Sequence, residues 1–165
     1  MTRTRMTSTD WLLAAAGPLA IGAIVGAQGG ALAIAQRSVT LPLILLGVAA
    51  VMLPALYIGT SLIGAAPPAR DVAAAFGRGF RACGVSLLGL AAPAAFLLAT
   101  SRSDAMGVAL GALITAVGAF AGLRVISGDL FSETRDAFLV RCVFGVWALV
   151  SLGIGLRLYT QFMAA

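Results

Sequence analysis

Residues 41–64 read LPLILLGVAAVMLPALYIGTSLIG and contain no charged side chain. A helix of about 20 apolar residues, rising about 1.5 Å per residue, is long enough to cross the hydrocarbon core of a membrane. Backbone amides in hydrocarbon cannot bond to water, so a run of this kind folds as a helix with internal hydrogen bonds. This stretch therefore predicts a transmembrane helix.

Four further apolar runs have a similar length. The composition is 61% hydrophobic and 10% charged, whereas a soluble domain is roughly 45–50% apolar and about 25% charged. A chain of 165 residues cannot bury that excess in one aqueous core. We therefore predict an all-α, polytopic transmembrane helical bundle of five helices that forms a single integral membrane domain, residues 1–165, with spans at residues 11–35, 41–64, 83–100, 106–127 and 138–159.

The linker between the second and third spans has the pattern of an amphipathic helix. Its apolar residues recur every four positions, at Val72, Phe76 and Phe80. Three arginines fall on another face: Arg70, Arg78 and Arg81. Aromatic rings beside arginines are typical of a helix lying at the level of anionic headgroups. We expect a short interfacial amphipathic helix here, which lies on the membrane or docks a partner.

The arginines also predict an orientation. All 11 basic residues are Arg, and the lack of Lys, with abundant Ala and Gly, suggests a bacterial source. The N-terminus and the two longer linkers with their flanks hold most of them, while Arg37, Arg102 and Arg157 fall on the other side, the first of these in a polar break at residues 36–40. Positive charge collects on the cytoplasmic side. The chain is thus expected to be multi-pass in the bacterial inner (cytoplasmic) membrane, with its N-terminus cytoplasmic and its C-terminus outside.

Small residues form stripes on two of the predicted helices. The glycines lie about one turn apart, at Gly22, Gly26 and Gly30 in the first span and at Gly107, Gly111, Gly118 and Gly122 in the fourth. Such stripes let another helix approach closely. They predict internal packing of the bundle, which is the favoured interpretation, or a seam for a partner subunit.

Few polar groups fall inside the predicted spans. None of the spans contains Asp or Glu well within it, which counts against a proton- or sodium-coupled transporter. Arg124 and Arg141 lie about one turn inside a span. We expect them to pair with acidic residues of the linker at 128–137 or, alternatively, to contact an anion or lipid headgroup. Gln28 is expected to bond across to another helix.

Absent residue types exclude several chemistries. The chain has no Lys for a Schiff base or a phosphate-loop lysine, and no His for a haem, a usual zinc site or a Ser-His-Asp triad. Its two cysteines, Cys83 and Cys142, form no CxxC motif. We therefore predict no catalytic residue, no cofactor and no metal. Nucleic acid is not expected as a partner, because the arginines alternate with apolar runs and form no patch.

Three functions remain compatible with these patterns. The favoured one is a non-catalytic integral membrane subunit or assembly and scaffold factor of a larger bacterial inner-membrane complex, with the lipid bilayer and other membrane protein subunits as partners. The alternative is a small channel or uncoupled carrier formed by a homo-oligomer, which Pro54 and Pro93 within spans and a weak repeat between residues 54–61 and 93–101 motivate. A membrane-embedded enzyme acting on lipids is a third possibility, although it lacks an acid–base pair.

Overall fold

A computed structural model describes residues 7–62, 64, 67–100, 103–131 and 137–163. These residues form α-helices with one 3-10 turn at Ala27–Gly29 and no β-strand. The helices are Ser8–Gly26 (α1), Gly30–Leu62 (α2), Ala69–Thr100 (α3), Asp104–Phe131 (α4) and Ala137–Met163 (α5). The prediction of an all-α fold is confirmed.

Within the described ranges, four helical stretches are long and apolar enough to cross a membrane. They are Ser8–Leu62, Ala69–Thr100, Ala105–Phe131 and Phe138–Met163. The first stretch contains both α1 and α2, which are joined by the 3-10 turn alone. The prediction of five separate spanning helices is therefore not confirmed, whereas a helical bundle with membrane-spanning length and composition is.

The chain reverses direction between α1 and α2 at Gly30 and not at the predicted break. Gly30 has a φ of +84°, a conformation that costs a residue with a Cβ but not glycine. Residues 36–40 lie inside α2, so the predicted break is wrong. These residues include no Gly or Pro, and the Thr40 hydroxyl donates to the carbonyl of Gln36 at 2.8 Å. A polar side chain satisfied in this way does not end a helix.

Glycines set how closely α1 and α2 approach. A Cβ on Gly26 would lie 2.6 Å from the carbonyl oxygen of Ala33, and one on Gly22 would collide with the carbonyl oxygen of Arg37. Later positions of α1 thus face earlier positions of α2. The two helices are therefore antiparallel, and α1 folds back on the first half of α2.

The helices close into a ring. The main contacts run from α2 to α1, then to α3, α4 and α5, and back to α2. The α1–α3 crossing brings two backbones together, because a Cβ on Gly17 would collide with the carbonyl oxygen of Gly84. The α3–α4 crossing is similar, with a Cβ on Gly122 only 2.8 Å from the carbonyl oxygen of Gly79. Small residues therefore determine the crossings of the ring.

The predicted short amphipathic helix is wrong as a separate element. Residues 70–81 form the first turns of α3, which continues without interruption to Thr100. Val72 and Phe76 are only 3% and 6% exposed. Their apolar face is covered by α4 and α5 of the same chain, so it needs no membrane surface. The helix also passes Pro93 without ending there.

Two apolar clusters lie toward opposite ends of the ring. The first, called the Tyr159 cluster, includes Ile21, Val25, Leu41, Leu98, Tyr159 and Met163. The second, called the Trp147 cluster, includes Leu56, Phe76, Ile126, Phe131, Phe144 and Trp147. Its rings pack edge to face, with centroids 5.9 Å apart for Phe76 and Trp147 and 5.6 Å apart for Phe131 and Phe144. Such aromatic pairs add to the stability that burial supplies.

Candidate functional site

A cavity of about 420 Å³ lies between the two clusters. Its walls come from α2, α3, α4 and α5, and it touches Leu41 and Tyr159 of one cluster and Phe76 and Trp147 of the other. Ligand sites usually fall between roughly 300 and 1,000 Å³ and are mostly apolar. In both respects this central cavity has the character of a binding site.

The local sequence explains why the centre of the ring is not filled. The wall that α4 contributes is built mainly from small side chains spaced at three or four residues, namely Ala112, Thr115, Ala119 and Gly122. These side chains are too short to reach across the ring. On α5 the lining positions Trp147, Ser151, Gly155 and Tyr159 follow at intervals of four, so one face of that helix borders the cavity along its length.

The central cavity opens sideways between α4 and α5. Most of its lining residues are buried or half-buried, but Ala116 of α4 and Leu149, Gly153 and Leu156 of α5 are exposed. The last three follow at i, i+4 and i+7, so they form one stripe along the helix. The opening therefore lies on the side surface of the bundle, among apolar side chains.

Most polar groups of the cavity wall are bonded to the wall itself. The Thr115 hydroxyl donates to the Gly111 carbonyl at 2.7 Å, and the Ser151 hydroxyl donates to the Trp147 carbonyl at 2.8 Å. The Trp147 indole Nε1 donates to the Met52 carbonyl at 2.6 Å, which ties α5 to α2. None of these groups therefore has to find a partner inside the cavity.

Tyr159 differs from the other polar lining groups. It is 2% exposed, and its hydroxyl is the buried side-chain polar atom that lacks a hydrogen-bond partner in the described part of the chain. A buried hydroxyl without a partner destabilises a fold by about 1–3 kcal/mol. A Cβ on Gly111 would collide with this hydroxyl, so the glycine provides the room that the ring of Tyr159 needs. Tyr159 was not predicted as a site residue, although its spacing of four and eight residues from Gly155 and Ser151 was a usable signal.

Two polar side chains bond to helix ends beside Tyr159. Arg37 Nη1 donates to the carbonyl oxygen of Val25 at 3.1 Å, and Gln28 Nε2 donates to the carbonyl oxygen of Leu98 at 3.1 Å. The expected bond from Gln28 to another helix is confirmed. The sequence predicted a polar break at residues 36–40, so it missed that Arg37 lies inside α2. The pair Gly29-Gly30 was the stronger turn signal.

The predicted glycine stripes lie mostly in contacts within the chain. A Cβ on Gly118 would lie 2.5 Å from Leu87, and one on Gly107 would lie 3.2 Å from the side-chain oxygen of Gln28. Gly30 differs, because it occupies the turn and has open space around it. The glycines in such contacts are Gly22, Gly26, Gly107, Gly111, Gly118 and Gly122.

The arginines of the former linker join helices at one end of the ring. Arg78 Nε lies 2.6 Å from Asp129, which joins α3 to α4, and Arg81 Nε lies 3.0 Å from Asp10, which joins α3 to α1. Arg70 is exposed and its Nε lies 3.7 Å from Asp71, its neighbour in sequence.

The two arginines predicted inside spans are not brought together with Asp129. Arg124 and Arg141 are exposed, and Asp129 pairs with Arg78 instead. The other acidic residues expected to pair with them, Glu133 and Asp136, lie outside the described residues, as do Arg102 and the remaining N-terminal and linker arginines.

The described residues contain no group of three or more His, Cys, Asp or Glu that is placed to hold a metal ion. Cys83 is buried, Cys142 is exposed, and both are free thiols. In comparisons with known proteins, no family model, no curated protein and no solved structure matches this chain.

Proposed function

We propose that this protein is a non-catalytic integral membrane subunit or scaffold of a larger bacterial inner-membrane complex. The observation that carries the proposal is a set of helical glycines on α2 to α5 above which the chain leaves open space. A Cβ at any of these positions would have no neighbour within 4 Å: Gly47, Gly89, Gly128, Gly145 and Gly153.

Glycine inside a helix is destabilising by about 1 kcal/mol relative to alanine. At the internal crossings this cost is offset by close packing, but at these open positions no contact among the described residues offsets it. Small residues on the outside of a membrane helix allow a second helix to approach closely. Because the open glycines are spread over four helices, they suit a subunit with neighbours on several sides.

The test is native mass spectrometry of the protein extracted gently from its own membrane at its natural abundance. We expect foreign subunits in fixed stoichiometry. Gly47→Leu or Gly128→Leu should reduce their recovery at least severalfold, because each adds bulk where a partner would pack. Val51→Leu, which adds one methylene at an exposed position of α2, is the matched control and should leave recovery unchanged. A lone monomer or closed homo-oligomer would overturn the proposal.

A small channel or uncoupled carrier formed by a homo-oligomer is the second candidate. The central cavity favours this candidate in one respect, because a space that opens sideways suits a carrier of apolar molecules. The lining does not suit an aqueous pore, since Thr115 and Ser151 bond to their own helices and apolar clusters flank the cavity. Liposomes containing the purified protein would show flux of a small solute if this candidate is correct.

We further propose five crossings, with α1 as the first, the N-terminus in the cytoplasm and the C-terminus outside. Two observations support this topology. Because α1 packs antiparallel to α2, the two helices run through the bundle in opposite directions. The 19 residues of α1 form a helix about 28 Å long. The ion pairs of Arg78 and Arg81 lie at the end of the ring that carries most of the arginines among the described residues.

A further inference from the structure

Pro93 removes a hydrogen bond from the middle of α3. Proline has no N–H, so the carbonyl four residues earlier in a helix loses its usual donor. Because Pro93 lies inside α3, that carbonyl belongs to Gly89. None of the side-chain hydrogen bonds among the described residues ends on Gly89. Its carbonyl oxygen therefore lacks the donor that an α-helix normally supplies.

This carbonyl lies near the middle of the apolar part of α3. The charge-free stretch runs from residue 82 to residue 101, between Arg81 and Arg102. Gly89 is eight residues beyond Arg81, which corresponds to about 12 Å along the helix. Hydrocarbon at that depth contains neither water nor headgroups, and a polar group without a partner there is costly. A donor for this carbonyl therefore has to come from protein.

The surface around the carbonyl faces outward and is open. Gly89 and Pro93 are both exposed, and a Cβ on Gly89 would have no neighbour within 4 Å. Val85, one turn before Gly89, is 46% exposed, and Phe96, two turns after it, is 68% exposed. These larger side chains flank a depression at Gly89, where a second helix can approach closely.

The other prolines within helices do not combine these features. The proline of α1 is buried. Pro42 of α2 is half-buried, and the carbonyl that it frees belongs to Ser38, which packs against α1. Pro54 of α2 is exposed, but it frees the carbonyl of Ala50, whose Cβ keeps a neighbouring helix further away. Among the prolines of the described helices, a freed carbonyl and an open glycine thus coincide at Gly89.

We infer that α3 docks a transmembrane helix of a neighbouring subunit at Gly89, and that a hydroxyl or carboxamide of this helix donates to the Gly89 carbonyl. The side chain of the partner is Ser, Thr, Asn or Gln, in the middle of an otherwise apolar helix. A lipid acyl chain has no donor to take this place. The inference rests on the proposed role as a complex subunit, and it adds which face is occupied and which chemistry the partner brings.

Pro93→Ala tests the hydrogen bond, because it restores the N–H and satisfies Gly89 within α3. Native mass spectrometry of the gently extracted protein at its natural abundance should show recovery of one foreign subunit reduced roughly two- to tenfold, the effect of one net hydrogen bond. Pro42→Ala is the matched control and should leave recovery unchanged. The purified Pro93→Ala protein should unfold at the same temperature as the wild type or higher, which separates a lost contact from misfolding.

The outcomes of this experiment distinguish the two proposals. If the wild type retains foreign subunits and both proline variants retain them equally, the site on α3 is wrong and the proposed function stands. If the wild type retains no foreign subunit, the proposed function fails, and the docking site fails with it.

A photo-crosslinker in place of Phe96 identifies the occupant of this face. We expect an adduct with a peptide of a foreign subunit that contains one of these four residue types within an apolar stretch. Replacing that residue by alanine should reduce recovery by the same factor as Pro93→Ala, and the two changes together should reduce it no further. Adducts with lipid alone, with peptides of a second copy of this chain or with a helix that lacks a donor would overturn the inference.

Discussion

The side chains of Arg37 and Gln28 cap the C-terminal ends of two helices to which they do not themselves belong. The last four carbonyls of a helix have no partner within it. Val25 lies in the last turn of α1 and Leu98 in the last turn of α3, and these carbonyls accept from Arg37 and Gln28. Arg37 also brings positive charge to the C-terminal end of α1, where the helix dipole is negative. A charged group inside α2 is thus explained by the turn that it stabilises.

Arg37→Met keeps the length of the side chain but removes the donor and the charge. We expect the free energy of unfolding to fall by about 1.5–3 kcal/mol, the usual range for a hydrogen bond to a charged group. Arg70→Met is the control, because the Arg70 side chain is 87% exposed and such ion pairs contribute about 0–1 kcal/mol. Denaturant unfolding in mild detergent measures both. Equal losses in the two variants would show that the Val25 bond does not stabilise the turn.

Gly84 illustrates how the crossings limit side-chain size. A Cβ there would collide with the Leu13 carbonyl oxygen and lie 2.7 Å from the Ala14 Cα, both of which are backbone atoms. Gly84→Ala should therefore destabilise the protein by about 1–3 kcal/mol through overpacking. Gly89→Ala changes the same helix where space is open, so it should be neutral or stabilising by up to about 1 kcal/mol. Thermal unfolding measures the stability of both variants. A higher melting temperature for Gly84→Ala than for Gly89→Ala would contradict the close approach of α1 and α3.

Among the helices, α3 shows what hydropathy predicts and what it misses. The predicted span at residues 83–100 ends where α3 ends, but α3 begins at Ala69. The additional turns are amphipathic. The sequence placed their Phe76 face on a membrane surface because α5, the helix that covers this face, is remote in sequence. The spans predicted at residues 106–127 and 138–159 lie within α4 and α5. Apolar length thus predicts that a helix crosses, but not what covers its polar ends.

The start of α2 shows the converse error. Hydropathy reports a preference for solvent, whereas a chain reversal requires a particular backbone geometry. Residues 36–40 are polar and helical, while Gly30 lies in an apolar run and adopts the positive φ of the turn. The central cavity was beyond prediction for a related reason. It exists because small residues of α4 face α2 and α5 across the ring, and that arrangement depends on tertiary packing.

Substitution of Phe76 tests whether the first turns of α3 are buried in the bundle or lie at a membrane surface. Phe76→Ala should destabilise the protein by about 3–5 kcal/mol, because it removes a ring from the Trp147 cluster. Phe96→Ala on the same helix should cost less than about 1 kcal/mol, since Phe96 is 68% exposed. A photo-crosslinker at position 76 should form adducts with α5 peptides. Predominantly lipid adducts would instead indicate that these turns lie at the membrane surface, as the sequence predicted.

For the bundle as a whole, the number of crossings decides where the ends of the chain lie. If α1 and α2 each cross, the chain crosses five times and its ends are on opposite sides. If Ser8–Leu62 counts as one crossing, four crossings put both ends on the same side. The collision of a Cβ on Gly22 with the Arg37 carbonyl requires α1 to run back along α2. This contact favours two crossings for that stretch.

Cysteine labelling tests this topology directly. In a variant with Cys83→Ala and Cys142→Ala, single cysteines at Thr7, Leu32 and Thr160 would be treated in inverted and right-side-out membrane vesicles with a maleimide that does not cross lipid. We expect position 7 to react from the cytoplasmic side and positions 32 and 160 from the outer side, since the turn and the end of α5 share one end of the ring. Labelling of positions 7 and 160 from the same side would leave four crossings, and α1 would then be a hairpin arm that never reaches the opposite surface. The Arg37 cap would in that case lie within the membrane, so the same experiment decides whether that charge is at a surface or buried in lipid.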